Sequence, residues 1–177
     1  MAAKTGTYTL IASNTLGSNT ASVTFGSIPA TYTDLKIVSN GRTDWTTNEY
    51  EALYMQLNSD TATNYSVTAL MGTGSAAASY RQSTQNQMEI SRFSNSFSSN
   101  TAFGTSIIDL QDYSNTTTYK TAISRTNNVP YGYYNVGSTV GLWRSTAAVS
   151  TIKLYPALGS NFVTGSTFKL YGIEAAK

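Results

Sequence analysis

Ala147-Ala-Val-Ser-Thr-Ile-Lys-Leu-Tyr-Pro156, followed by Ala157-Leu-Gly-Ser160 and Asn161-Phe-Val-Thr-Gly-Ser-Thr-Phe-Lys-Leu-Tyr-Gly-Ile173, decides how the rest of the chain is read. Successive side chains on a strand point to opposite faces. Ile152 and Leu154 therefore share one face, Thr151, Lys153 and Tyr155 the other, and Pro156 ends the strand because it cannot donate to a ladder. Further on, Phe168, Leu170 and Gly172 fall on one face and Thr167, Lys169, Tyr171 and Ile173 on the other. The spacing predicts two strands joined by a Pro/Gly turn, each burying one face as in an antiparallel sheet solvated on its other side.

The same alternation runs through the chain. Tyr8–Ala12 and Ala21–Phe25 read as strands joined by a hairpin loop at Ser13–Asn19, and Pro29 reads as a corner. Asp34–Ser39 turns Leu35 and Ile37 inward, with Asn40-Gly41 as its break. Glu49–Leu57 turns Leu53, Met55 and Leu57 inward and Tyr54 and Gln56 outward. Strands follow at Tyr65–Met71, Thr101–Leu110, Tyr119–Arg125 and Val136–Trp143. Residues 72–100 are poor in large aliphatics and rich in Ser, Ala, Gln and Asn, so they read as a loop-rich insertion, with short strands at Ala78–Gln82 and Gln87–Ser91. Helical three-and-four spacing is nearly absent. No repeat of fixed period is present, which argues against a propeller or solenoid. The expectation is an all-β fold: a single domain over residues 1–177, a jelly-roll-like antiparallel β-sandwich of eight to ten strands, with residues 1–6 a candidate N-terminal arm.

Composition narrows the chemistry. The 177 residues include no Cys and no His, which removes Cys/His zinc sites, Cys or Ser-His nucleophiles and histidine switches. Eleven basic residues against nine acidic give a net charge of +2, no footprint for nucleic acid. The sequence shows no signal-peptide pattern and no apolar run of about 18 residues, so the reading is a soluble chain made in a cytoplasm, with no membrane partner. Solubility rests instead on 51 Ser and Thr, 14 Asn and 13 Tyr. Such hydroxyl-rich surfaces are commoner on β-proteins outside cells or on virus particles than on cytosolic enzymes.

Catalysis would need paired carboxylates, as in glycoside hydrolysis. Asp109 and Asp112 are the closest pair, at a strand end where Asp, Asn and Ser also make turns; Glu49 and Glu51 read as a solvated strand face. Asn58, Asp60 and Asn64 offer oxygens to calcium but fit an Asx turn better. Gly72-Thr-Gly74 precedes no helix that would hold phosphate, and Asn64 and Asn115 in Asn-X-Ser/Thr triplets carry no assignment. No catalytic residue, metal or cofactor is expected. The candidate contact residues are Tyr131, Tyr133 and Tyr134 behind Pro130, and Trp45 with Arg42. Exposed aromatics of this kind anchor protein interfaces, stack on sugars or simply pack at a sheet edge.

Four stretches carry a resemblance: Tyr8–Ala12, Phe25-Gly-Ser-Ile-Pro-Ala-Thr-Tyr-Thr-Asp-Leu35, Leu57-Asn-Ser-Asp-Thr-Ala-Thr-Asn-Tyr-Ser66 and Gly165-Ser-Thr-Phe-Lys-Leu-Tyr-Gly-Ile173. Together they resemble small β-rich structural proteins of tailed bacteriophages, of the type found in phages of cyanobacteria and other marine bacteria. The resemblance implies a jelly-roll-like sandwich on the virion. It would be made in the host cytoplasm and serve as a capsid decoration (cement) protein, a homotrimer bridging subunits of the major capsid protein. The alternative is a tail, fibre or baseplate module that binds host-surface glycan. The turn and strand patterns that carry the resemblance transfer no catalytic residue.

Overall fold

In the computed structural model, residues 7–47, 51–97, 101–128, 135–158 and 161–174 are described. Twelve strands occur among them: β1 (Tyr8–Thr15), β2 (Val23–Phe25), β3 (Asp34–Thr43), β4 (Glu51–Leu57), β5 (Tyr65–Gly72), β6 (Ala77–Gln85), β7 (Met88–Asn95), β8 (Gly104–Gln111), β9 (Lys120–Asn128), β10 (Asn135–Trp143), β11 (Ile152–Pro156) and β12 (Thr167–Ile173). The all-β expectation holds, with twelve strands against the eight to ten expected. The candidate arm at residues 1–6 lies outside the described residues.

The larger layer runs β1-β12-β3-β8-β9-β10-β5-β6, every neighbour antiparallel. A smaller layer runs β2-β11-β4-β7, also antiparallel. They join where β3 and β7 pair in parallel at Arg42 with Ser94 and Thr43 with Asn95. From β1 to β4 the chain changes layer at every step, and it does so again from β7 to β8 and from β11 to β12. That wrapping is a jelly roll. Eight strands complete it; the hairpin of β5 and β6 and the hairpin of β9 and β10 meet through the β5–β10 pair and extend the larger layer by four strands.

Two expected hairpins are therefore corrected. β1 pairs with β12, and β2 with β11, so residues 16–22 form a crossing between layers. The stretch after Pro156 is likewise a crossing. Phe162, in its middle, bridges Thr20 and Thr43 and is fully buried. Its ring lies 4.8 Å from Phe168 and 5.8 Å from Phe93, plugging one end of the core. The alternation itself holds: Leu35, Ile37, Leu53, Met55, Leu57, Ile152, Leu154, Phe168 and Leu170 are all buried. Each such side chain contributes roughly 1.5–3 kcal/mol through the apolar surface it removes from water.

Asn40-Gly41 does not break β3, which runs to Thr43. Gly41 is there for proximity, since a Cβ at that point would lie 3.0 Å from the Phe93 ring and 3.1 Å from Ser166 Oγ. Within residues 72–100 the described part is mostly strand. β6 is an edge strand of small and polar residues, whereas β7 is buried almost throughout despite Ser91, Ser94 and Asn95. Before its Ser94 and Asn95 pair with β3, the edge of β7 away from β4 turns onto the larger layer, where hydroxyls stand in for a neighbouring strand: Ser124 donates to the Ile90 carbonyl and Thr126 to that of Arg92 at 3.0 Å. Glu51 is buried too, its carboxylate accepting from the Leu158 amide at 2.8 Å, against the expectation of a solvated face. Glu49 lies outside the described residues.

Candidate functional site

The end of β3 carries two of the candidate contact residues. Arg42, half-buried, donates to Ser96 Oγ, and its guanidinium lies 6.0 Å from the centre of the Phe103 ring. The carbonyl of Trp45 accepts from the Phe97 amide at 3.1 Å, and Phe97 is exposed. Between them, Asp44 accepts from the Asn161 amide at 2.7 Å and from the side chains of Asn161 and Asn19. Burial pushes the Asp44 carboxyl up, but these hydrogen bonds outweigh it and hold the group below its ordinary value. Arg42 and Trp45 thus share one corner of the sandwich. Tyr131, Tyr133 and Tyr134 lie outside the described residues, between Asn128 at the end of β9 and Asn135 at the start of β10.

A second surface, not singled out from the sequence, lies on the four added strands. On β10 the inward residues Thr139, Gly141 and Trp143 alternate with outward Val136, Ser138, Val140 and Leu142. Val136 and Val140 are 66% and 52% exposed, Leu70 on β5 60% and Ile123 on β9 44%, too much apolar area on adjacent strands to be incidental. A shallow groove of about 410 Å³ opens among Leu70, Ala77, Val136 and the Arg125 stem. Sequence alternation alone held this signal: β10 is apolar or small on both faces, and a strand in one sandwich needs only one such face.

The carboxylates are mostly committed elsewhere. Asp109 is paired with Lys36, while Asp112 sits in a left-handed turn (φ 46°) with its amide held by Asp34 at 2.8 Å. Asp60 accepts from the Trp143 indole at 2.7 Å, from Asn64 at 2.9 Å and from the Ala62 amide at 2.8 Å. Burial raises its pKa, but the three donors together hold it below the ordinary carboxylate value. With Asn58 and Ser59 at positive φ, this segment is the turn that its composition suggested. Glu89 accepts from Tyr80 at 2.5 Å and Gln82 at 2.9 Å. Burial, and then Glu89 itself, push the Tyr80 hydroxyl well above its usual range. Lys120 is fully buried and donates to the carbonyls of Thr118 and Thr146; burial pulls its pKa down, opposed by Asp112. Each group fastens a turn or a strand edge.

Comparison with protein-family models, curated proteins and solved structures finds no match for this chain. Among the described residues no group of three or more Asp or Glu is placed to hold a metal ion, and no helix is long and apolar enough to cross a membrane.

Proposed function

We propose that this chain is a non-enzymatic building block of a virus particle: a capsid decoration (cement) protein of the tailed-phage kind, lying on the capsid surface and bridging neighbouring subunits of the major capsid protein. The observation that supports this reading is the exposed apolar face on the added strands, in a chain whose described carboxylates mostly serve its own turns. A protein of this design works by area. Many weak contacts per copy, multiplied by the symmetry of a shell, hold a lattice against internal pressure without one tight site. Particles stripped of the protein should release DNA on osmotic shock or mild heating more readily than intact ones, and adding it back should restore resistance. Unchanged particle stability would reject the reading.

The corner that joins Arg42, Trp45 and Phe97 favours a second reading, a tail, fibre or baseplate module that stacks host-surface sugars on its aromatics. It requires saturable glycan binding by calorimetry that Trp45→Ala reduces. Electron microscopy of an intact particle separates the two readings, because shell and tail positions exclude each other.

A further inference from the structure

The geometry points to a partner for the exposed face of the added strands: a second copy of this chain, stacked face to face about a two-fold axis that runs along β10. Register carries the argument. One row of outward residues crosses the larger layer as Lys36 (β3), Asp109 (β8), Ile123 (β9), Val140 (β10), Thr68 (β5) and Arg81 (β6). Asp109 and Arg81 each lie two strands from Val140, on opposite sides, at about 10 Å given the usual strand spacing. A two-fold along β10 exchanges those sides. It sets Asp109 over the second copy's Arg81 and Arg81 over its Asp109, with Val140 packed on its own counterpart.

The neighbouring rows agree. Arg125 and Leu70 flank Ser138 at one strand each, so the operation lays the aliphatic stem of Arg125 over the exposed Leu70 of the other copy. Val136 and Leu142, on β10 itself, meet their counterparts. Lys36 occupies Asp109 Oδ1, which leaves Oδ2 to receive a guanidinium, and Arg81 is exposed and makes no ion pair within the described chain.

Size agrees as well. Five strands from β8 to β6 span about 24 Å, and the nine residues of β10 about 30 Å, giving roughly 700 Å² per copy. A standard stable interface buries about 800 Å² per partner. Self-complementarity of this kind is what an isologous pair requires. The inference goes beyond the decoration reading, which a chain docking singly would satisfy equally well: a stacked pair uses this face on itself and would meet a shell through its other surfaces, and it puts a two-fold pair in place of the homotrimer that the resemblance implies.

Sedimentation equilibrium of the full chain across a concentration series is the test. The expected result is a reversible species of twice the 19.0 kDa chain mass. Val140→Asp should weaken its formation by about 100-fold or more. Arg81→Gln and Asp109→Asn should each weaken it about tenfold, and the double variant little further, because both remove the same pair. A chain that stays monomeric, a trimer, or a dimer indifferent to Val140→Asp and Arg81→Gln would overturn the inference. Additive losses in the Arg81 and Asp109 cycle would overturn the axis along β10. A monomer that still protects particles would sink this inference and leave the decoration reading standing; a dimer that binds no particle would do the reverse.

Discussion

Along β10 two faces alternate with a period of two residues, and they differ in what completes them. Inward, Trp143 stacks on Tyr65 with ring centres 6.2 Å apart, its indole is bonded to Asp60, and Gly141 lies under Met88 and Ile90 of β7. Outward, Val136 and Val140 are more than half exposed and nothing in the described chain covers them. Hydrophobicity alone does not distinguish the faces. The inward one is closed by shape and by hydrogen bonds that only this chain supplies, whereas the outward one is flat, largely aliphatic and flanked by charges one and two strands away. The first specifies the fold, and the second is left for another surface.

Substitutions on the inward face should be costly, and the largest loss should follow Trp143→Ala. It empties the volume between Tyr65 and the turn at Asp60 and strips that carboxylate of its indole donor, so urea unfolding should show a loss of about 3–5 kcal/mol. Gly141→Ala comes next. Its Cβ would lie 2.6 Å from Met88 Sδ and 3.4 Å from Ile90 Cδ1, in a region where both side chains are fully buried and have little room to retreat. Overpacking of that kind costs about 1–3 kcal/mol. A Gly141→Ala variant as stable as the parent would mean the inward face has slack, and the contrast between faces would weaken.

The hydroxyl of Tyr65 sharpens the comparison through pH. It accepts from the Leu57 amide at 3.1 Å and donates to the carbonyls of Leu57 and Asp60, so Tyr65→Phe should cost about 1–2 kcal/mol at neutral pH by orphaning that amide. Burial pushes the Tyr65 hydroxyl from 10.0 up to about 12, which favours the neutral form in the folded chain. The corresponding stability is complete below pH 10 and is lost as pH rises towards about 12, because the unfolded chain gives up its proton first. Tyr54, Tyr80, Tyr113 and Tyr155 are shifted in the same direction, chiefly by burial. The urea midpoint should therefore fall steeply above about pH 10, and less steeply in Tyr65→Phe. A profile that stays flat to about pH 11.5 would contradict the burial assigned to these rings.

Alternation makes the layers legible from the residues alone: Ile152 with Leu154, and Phe168 with Leu170, point inward as their spacing predicts, because side-chain direction on a strand is local. Pairing is not local. In a jelly roll the next strand in sequence usually belongs to the other layer, so β1 with β2 and β11 with β12 look like hairpins and are not. The low aliphatic content of residues 72–100 hides β7 for a different reason. Its buried Ser91, Ser94 and Asn95 interrupt the apolar run of a strand that is covered on both faces, and a hydrophobic pattern does not register such a strand. At the contact surfaces, Arg42 and Trp45 stand close in sequence and do share a corner. For Val136, Val140, Leu70 and Ile123 alternation shows only that β10 is apolar or small on both faces; which face stays open, and what lies beside it, depends on β5 and β9 flanking β10, and β5 lies some 70 residues away along the chain.

Val140→Thr should have the smallest effect, and it tests the outward face most directly. Thr matches Val in branching and strand preference, and its hydroxyl would face water, so nothing in a single chain opposes it. At a concentration low enough to keep the chain monomeric, unfolding should change by no more than about 0.5 kcal/mol. At high concentration the parent gains stability by association, and the variant should gain less, since a hydroxyl at the centre of a stacked interface must be desolvated. A loss at low concentration as large as that from Gly141→Ala would mean that the outward face is already closed within one chain. The distinction between a face that makes the fold and a face that makes the assembly would then fail at the strand where it is drawn most sharply.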